Sequence, residues 1–315
     1  MILVTGAAGQ LGSDLVAALV GLHGREAVLA TDLRTCDQMA RSGADMATLD
    51  VTDPDAVQTM IQDGAFEQVY HLAGILSARG EKQPDLCWTV NVDGLKNVLN
   101  AVRGTKTRVF WPSSIAVFGP DTQRHRTPQV TVTNPTTMYG VAKASGEMMC
   151  DYYARKYGVD VRSVRYPGII SYGVPPGGGT TDFAVDMFVQ AVKNGQYTCF
   201  VRESTRLPMM YGPDAVKAAL DLMAAAPSSI SVRTSYNLTA FSFSAEELAA
   251  AIESRVPGFV CEYEPDFRQA IADTWPEVID DSRAREDWGW HPDYDITAMV
   301  NDMLSHLVDP ANSHV

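Results

Sequence analysis

The chain has 315 residues, of which 46% are hydrophobic, enough to build one cofactor-sized domain with a smaller appended lobe. Its formal net charge is −13, which argues against nucleic acid or an anionic membrane as a partner. No apolar stretch reaches the roughly 18 residues that a membrane span needs, and the N-terminus opens with a strand rather than a signal peptide, so the protein is expected to be cytoplasmic.

The first segment predicts a strand, a glycine turn and a helix that together hold a nucleotide. Residues 2–5 form a short apolar run typical of a buried parallel strand, and a helical apolar pattern follows the turn. The glycines allow the backbone to approach a pyrophosphate, while the helix N-terminus offers free N–H donors. A loop that needs positive φ angles explains one glycine, but three favour a cofactor site. The predicted contacts are Gly6, Gly9, Gln10, Leu11 and Gly12.

The ends of the next three predicted strands extend this cofactor site. Asp32 ends the second strand, where a carboxylate accepts hydrogen bonds from an adenosine ribose and repels a 2′-phosphate. This favours NAD over NADP, and Arg34 is interpreted as a solvated surface charge. Each later strand end also fits an ordinary terminus with a turn residue, so it is the series that favours a cofactor site. The further predicted contacts are Leu33, Asp50, Val51, Leu72, Ala73 and Gly74.

A predicted hydride-transfer set lies in the middle of the chain. Tyr139 and Lys143 are four residues apart in an amphipathic run, and Ser114 lies twenty-five residues before Tyr139. Positions i and i+4 of a helix face the same way, so the Lys143 ammonium favours a phenolate on Tyr139 and helps to place a ribose. Such a tyrosine can remove a proton from a substrate hydroxyl. Chance pairs at this spacing are common on solvated helices, so the glycine turn is the feature that favours catalysis.

Strands and helices alternate up to about residue 165, with Leu49 to Val51 closing the third strand and a helix near residues 86–103. This alternation predicts an α/β fold with a doubly wound parallel sheet. Past residue 168 the alternation lapses. Pro175 to Gly179 predicts a loop, followed by helix-start residues Thr180 to Asp182 and a helix from Phe183 to Val192. Such a helix start suits a small carboxylate, although an ordinary capped helix is the commoner outcome. Ser244 to Glu247 predicts a capping box.

The predicted domains follow from this pattern. Residues 1–168 form the NAD-binding Rossmann domain, to which residues 209–240 return with a last strand at 235–238. Residues 169–208 and 241–315 form the smaller substrate-binding lobe. The tryptophans of this lobe are expected in its core, with Trp275 alone as a pocket wall.

Cysteine and histidine usage predicts neither disulfides nor a metal site. The five cysteines are odd in number and scattered, and are expected to be reduced and buried or partly buried. No Cys or His pair shows metal-ligand spacing, so acid–base work falls to tyrosine. The cysteines are Cys36, Cys87, Cys150, Cys199 and Cys261.

The glycine turn, the acidic end of strand two and the Ser…Tyr-x-x-x-Lys set resemble the extended short-chain dehydrogenase/reductase family. Within it, the second half resembles the short-chain type of NAD-dependent L-threonine 3-dehydrogenases, which are related to UDP-galactose 4-epimerase. One departure is Gly212-Pro213, where a bulkier and an acidic residue are expected, and it falls at a predicted helix start. The strings that carry the resemblance lie at 75–78, 81–84, 165–171, 175–185, 207–211, 275–276 and 280–290.

The resemblance implies NAD-dependent oxidation of L-threonine at C3, giving 2-amino-3-ketobutyrate and NADH without a metal. Tyr139 is then the general base, Ser114 holds the substrate hydroxyl, and Lys143 binds the nicotinamide ribose. A homodimer through a four-helix interface is also implied, with burial of the Tyr139 helix against the sheet alone as the alternative. The nicotinamide is bordered by Tyr166, Pro167, Gly168 and Ile169. The substrate is contacted by Ser77, Ser113, Ser114, Tyr139, Thr180, Thr181 and Trp275.

Two other functions share these features. A nucleotide-sugar 4-epimerase would use the same set with tightly held NAD, but the substrate diphosphate needs cationic anchors in the lobe. Between residues 171 and 208 three cations are matched by three acids, so no positive surplus exists. A non-catalytic NAD-sensing regulator commonly loses the catalytic tyrosine or lysine, whereas this chain keeps both.

Overall fold

The computed structural model describes residues 1–35, 42–173 and 179–308. Most of the predicted proline and glycine loop, residues 175–178, lies outside the described residues, as does Cys36. The strands are β1 Ile2–Thr5, β2 Val28–Asp32, β3 Asp45–Thr48, β4 Gln68–His71, β5 Arg108–Ser114, β6 Val161–Tyr166, β7 Gly168–Ile170, β8 Gln196–Cys199, β9 Arg206–Tyr211, β10 Tyr236–Asn237, β11 Phe241–Ser244 and β12 Val260–Tyr263.

The helices alternate with the strands through the first half and cluster in the second. They are α1 Gln10–His23, α2 Pro54–Gly64, α3 Ser77–Lys82, α4 Pro84–Trp88, α5 Gly94–Ala101, α6 Met138–Tyr157, α7 Phe183–Asn194, α8 Gly212–Ala224, α9 Ala245–Glu253, α10 Phe267–Ala272, α11 Ser282–Trp288 and α12 Ile296–Val308. Within the described ranges, no helix is long and apolar enough to cross a membrane.

A seven-stranded parallel sheet in the order β10-β6-β5-β4-β1-β2-β3 confirms the predicted α/β fold. Every residue of β1 is buried, as expected for a strand covered on both faces. The order in which the chain adds strands to the sheet reverses between β1 and β4. These two strands pair in parallel, with Thr5 opposite His71. In doubly wound sheets, ligands bind beyond the carboxyl ends of strands at such a switch point.

The helix that carries Tyr139 is held tightly against this sheet. Thr137 caps α6 by accepting a hydrogen bond from the backbone N–H of Gly140, and Gly158 ends it in the left-handed conformation at φ +69°. Gly146 brings the helix close to β5, since a Cβ there would lie 2.3 Å from the Trp111 ring.

Two expectations about local structure need correction. The helix predicted near residues 86–103 is interrupted, because Thr89–Asp93 forms a π-helical turn between α4 and α5. The third strand ends at Thr48, so Leu49, Asp50 and Val51 follow it rather than close it. Both differences lie at ends or interruptions of elements. There the backbone hydrogen bonds decide which residues belong to an element, and the side-chain pattern carries little information.

The second half of the chain builds two small sheets beside the large one. One has the order β11-β9-β7 and the other pairs β12 with β8. The capping box at α9 is confirmed, with Ser244 accepting from the backbone of Glu247 and the Glu247 side chain accepting in return. β10 joins the large sheet beside β6. The division into two domains at the predicted boundaries stays a prediction.

The departure at Gly212-Pro213 has a local explanation. Gly212 opens α8, and a Cβ there would lie 3.0 Å from the Cβ of Ser171. Pro213 occupies the first turn, where its missing N–H removes no helical hydrogen bond. The two residues therefore serve a close approach and a helix start.

Candidate active site

A cavity runs along the carboxyl ends of β1, β4, β5 and β6, the edge at which the sheet topology predicts a ligand. Nineteen of the residues predicted for cofactor or substrate meet in its lining. They are Gly6, Gly9, Gln10, Leu11, Gly12, Leu72, Gly74, Ser77, Ser113, Ser114, Tyr139, Lys143, Tyr166, Pro167, Gly168, Ile169, Thr180, Thr181 and Trp275.

The glycine turn at one end of this cavity fits a pyrophosphate. Gly6 has φ +72°, and a Cβ there would lie 2.5 Å from the backbone nitrogen of Ala73. A Cβ on Gly12 would lie 2.2 Å from the carbonyl oxygen of Gly6. No side chain caps the start of α1. The first N–H groups of this helix therefore face the glycine turn and are available to an anion.

Asp32 holds the turn from the neighbouring strand. Its Oδ2 accepts from the backbone N–H of Ala8 at 3.1 Å, and its Oδ1 accepts from that of Leu33 at 2.7 Å. Arg34 is exposed, as expected. Five predicted cofactor contacts are not part of the cavity lining: Asp32, Leu33, Asp50, Val51 and Ala73.

Tyr139 and Ser114 meet in the middle of the cavity. Burial raises the pKa of Tyr139 to about 12, and the hydrogen bond between its hydroxyl and Ser114 acts in the opposite direction. The Ser114 Oγ also accepts from the backbone N–H of Ala116 at 3.2 Å, which fixes the serine at the end of β5. A tyrosine with this pKa needs a nearby positive charge to act as a base near neutral pH.

Lys143 provides a positive charge one helical turn from Tyr139. Its Nζ lies 5.6 Å from the centre of the Tyr139 ring and donates to the carbonyl oxygen of Pro112 at 2.5 Å. It also lies 4.7 Å from the centre of the Trp111 ring. Burial lowers the pKa of Lys143 to about 8, which still leaves the ammonium as the main form at neutral pH.

The other end of the cavity carries small polar groups. Thr180 is 1% exposed, and its hydroxyl has no hydrogen-bond partner among the described residues. Asp182 accepts from the backbone N–H of Gly179 at 2.7 Å, which shapes the start of α7. The buried Trp275 is part of the cavity lining. An unpartnered buried hydroxyl is costly, so a ligand group beside Thr180 would remove a penalty.

Two predicted contacts direct their side chains elsewhere. The Ser113 hydroxyl donates to Glu147 at 2.7 Å, and the Tyr166 hydroxyl donates to the carbonyl oxygen of Ala215 at 2.6 Å within the core. Their backbones remain at the cavity edge. Both bonds join residues more than 30 positions apart, which local sequence does not predict.

Several lining residues were not among the predicted site residues, namely Ile75, Leu76, Pro112, Ile115, Gly179 and Asp182. Asp182 follows two threonines at a helix start, so its place in the sequence carried a detectable signal. No local sequence pattern predicts one further hydrogen bond, in which the Gln10 side chain of the glycine turn donates to the Ser171 hydroxyl at 2.8 Å. This bond joins the phosphate end of the cavity to the segment that leads to Thr180.

The cysteines of the described residues are free. Cys87, Cys150 and Cys199 are buried, and Cys261 is partly exposed. Across the described ranges, no three His, Cys, Asp or Glu side chains group closely enough to hold a metal ion.

Comparisons with known proteins extend over almost the whole chain. The profile described as the NAD dependent epimerase/dehydratase family matches residues 2–239. An uncharacterized epimerase/dehydratase of Staphylococcus haemolyticus is 44% identical over 308 residues, which are 97% of this chain and 97% of that protein.

Two solved structures have nearly the same fold. The holo form of a GalE-like L-threonine dehydrogenase from Cupriavidus necator is 50% identical with a TM-score of 0.94, covering 97% of this chain and 99% of that one. The apo form of a monomeric L-threonine 3-dehydrogenase from a metagenome is 48% identical with a TM-score of 0.94, covering 98% of both chains. With its glycine turn, parallel sheet and Ser-Tyr-Lys set, this chain belongs to the NAD-dependent epimerase/dehydratase family of extended short-chain dehydrogenases/reductases, whose cofactor is NAD.

Proposed function

We propose that this protein oxidises L-threonine at C3 with NAD, giving 2-amino-3-ketobutyrate and NADH. The observation that carries the proposal is the cavity itself, which combines the Ser114-Tyr139-Lys143 set with a short polar end at Thr180. Relatives named L-threonine dehydrogenases, similar to this chain over nearly its whole length, support the same assignment.

The residues of the chain divide the chemistry among them. Ser114 holds the C3 hydroxyl, and Tyr139 takes its proton as the general base. Lys143 favours the phenolate electrostatically and binds the nicotinamide ribose. When bound, NAD accepts the hydride, and the positive charge of its oxidised ring also favours a phenolate nearby. The glycine turn and Asp32 hold the pyrophosphate and the adenosine ribose.

The far end of the cavity receives the amino-acid part of the substrate. The Thr180 hydroxyl donates to the carboxylate, and Ser77 and Thr181 add hydroxyls beside it. Trp275 closes the wall and excludes water, which strengthens these polar contacts. Holding both ends of a small substrate fixes C3 against the reacting groups.

A nucleotide-sugar epimerase is the second candidate, and the charges of the cavity disfavour it. Lys143 is the one Lys or Arg side chain among the lining residues of the described chain. Arg202 pairs with Asp273 and Arg206 pairs with Glu247, so neither is available to a diphosphate. A substrate diphosphate therefore lacks the cationic anchors that it needs.

Replacing the base tests the assignment. Tyr139→Phe removes the hydroxyl that takes the proton, so kcat for L-threonine should fall by roughly 10²- to 10⁴-fold, the usual contribution of a general base. Binding of NAD, measured by calorimetry, should stay nearly unchanged and serves as the control for folding. A folded variant with near-normal turnover would remove Tyr139 from the mechanism.

A further inference from the structure

A buried ion pair joins the three elements that carry the hydride-transfer set. Glu147 lies on α6 one turn beyond Lys143 and is 4% exposed, and Arg165 lies near the end of β6 and is 5% exposed. Arg165 donates to both carboxylate oxygens, from Nε to Oε1 at 2.8 Å and from Nη2 to Oε2 at 2.7 Å. Ser113, at the end of β5, donates its hydroxyl to Oε1 at 2.7 Å.

The remaining hydrogen bonds of the pair are also satisfied. The Nη1 of Arg165 donates to Asn237 at 3.0 Å and to the carbonyl oxygen of Gln129 at 3.2 Å. On average, buried ion pairs stabilise a protein no more than apolar residues of the same volume do. Stability alone therefore does not account for a charged pair at this position.

Three successive residues of β5 each meet a different turn of α6. Tyr139, Lys143 and Glu147 are spaced four residues apart and so form one stripe along the helix. Lys143 binds the carbonyl oxygen of Pro112, Glu147 binds the hydroxyl of Ser113, and Tyr139 binds the hydroxyl of Ser114. The strand end that presents Ser114 is thus fixed by its two preceding residues.

Glu147 also acts on the charge of Lys143. Burial lowers the pKa of Lys143, and the groups that raise it are Cys87, Cys150 and Glu147. The pKa values of both thiols are raised, so they are neutral near pH 7, and the Glu147 carboxylate is the negative charge among the three. His71 also faces this region, but burial lowers its pKa to about 3 and keeps it neutral. Tyr139 is neutral until it is activated.

We propose that Glu147 is a positioning residue, which fixes Ser114 through Ser113 and places a negative charge one helical turn from Lys143. Glu147 does not touch the substrate and acts only through these two side chains. The inference rests on the proposed function, because it assumes that Ser114 and Lys143 serve Tyr139 as the base.

Two variants separate the two roles of Glu147. Glu147→Gln alone would leave the buried Arg165 charge unpaired, which is strongly destabilising, so the charge is removed with the double variant Glu147→Gln/Arg165→Gln. The amide oxygen of the new glutamine can still accept from Ser113 in that variant. Ser113→Ala does the reverse, because it removes the link to the strand and keeps the carboxylate.

The expected effects have opposite patterns. Of the two charges that the double variant removes, Glu147 is the one that acts on the pKa of Lys143, so the variant lowers that pKa and moves the alkaline limb of the pH profile of kcat to lower pH. Ser113→Ala should leave this limb in place and lower kcat about 10-fold, within the ~10²-fold that a 1 Å misplacement costs. KM for threonine should change little in both.

A cofactor-free measurement and a distant ion pair complete the test. Side-chain NMR titration of isotope-labelled lysines, with the Lys143 signal assigned by its loss in Lys143→Arg, should report the same downward shift in the double variant. Asp160→Asn breaks the pairs of Asp160 with Arg162 and Arg233, both remote from the cavity lining, and should lower stability without moving the limb.

If the folded double variant left both the Lys143 titration and the alkaline limb of the pH profile in place, the charge role of Glu147 would be overturned. A normal kcat in Ser113→Ala would overturn the positioning role. Failure of the wild type to oxidise threonine would overturn the proposed function instead. The NMR titration would then decide on the Glu147 charge by itself.

Discussion

At the scale of single residues, Thr180 is the most informative side chain of the substrate end. It is buried, lines the cavity, and its hydroxyl lacks a partner among the described residues. A protein keeps such a group at a cost, because an unsatisfied buried hydroxyl loses its hydration without compensation. A ligand atom at this position would supply the missing hydrogen bond.

The isosteric change Thr180→Val tests this role. KM for threonine should rise by roughly 10- to 100-fold, because one hydrogen bond to a charged group contributes about 1.5–3 kcal/mol. The melting temperature should stay level or rise, since no hydrogen bond within the protein is lost. Thr107→Val is the matched control, because the buried Thr107 hydroxyl donates to the carbonyl oxygen of Phe66 at 2.7 Å, far from the cavity. This variant should be less stable than the wild type but should keep the wild-type KM for threonine. The reverse pattern would remove Thr180 from the substrate site.

Asp32 should decide the choice between NAD and NADP. Asp32→Asn keeps an oxygen that can accept from the glycine turn but removes the charge that repels a 2′-phosphate, so the preference for NAD should fall by roughly tenfold or more, which equals about 1.4 kcal/mol. Asp32→Ala should weaken NAD binding as well, since the bond to Ala8 is lost. Steady-state kinetics with both cofactors give the ratio. Equal use of NAD and NADP by the wild type would contradict this role.

At the scale of elements, the glycines of α1 differ in what they are needed for. A Cβ on Gly12 would lie 2.2 Å from the carbonyl oxygen of Gly6, whereas a Cβ on Gly21 of the same helix meets nothing within 4 Å. Gly12→Ala should therefore distort the turn and abolish NAD binding, measured by calorimetry. Gly21→Ala should instead stabilise the protein by about 0.5–1 kcal/mol through helix propensity. Tight NAD binding by Gly12→Ala would show that the turn does not hold the pyrophosphate.

The elements that sequence predicted well are those with strong local patterns. β1, the glycine turn and α1 follow from apolar runs and glycine spacing, and the capping box at Ser244 follows from four adjacent residues. The pairing of β8 with β12 did not follow, because those strands are short and more than 60 residues apart. The hydroxyl of Ser113 was assigned to substrate for the same reason, since its partner Glu147 lies in another element.

At the scale of the whole molecule, the outward face of α6 remains the predicted site of association. Met148 is 64% exposed and Tyr152 is 53% exposed on the helix that carries Tyr139 and Lys143 inward. Large apolar side chains on one helix face suit a second helix as a partner. The homodimer through a four-helix interface stays a prediction, and one similar protein is described as monomeric.

Substrate choice is the central claim, and one assay tests it most directly. The purified protein is mixed with NAD and, in separate samples, L-threonine, L-serine, UDP-glucose and UDP-galactose, and NADH absorbance is followed while the sugar nucleotides are separated by chromatography. We expect NADH with threonine, and a much poorer rate with serine, because a missing methyl group typically costs ~1–3 kcal/mol. Interconversion of the two UDP-sugars, with no NADH formed from threonine, would contradict the proposed function and establish the epimerase instead.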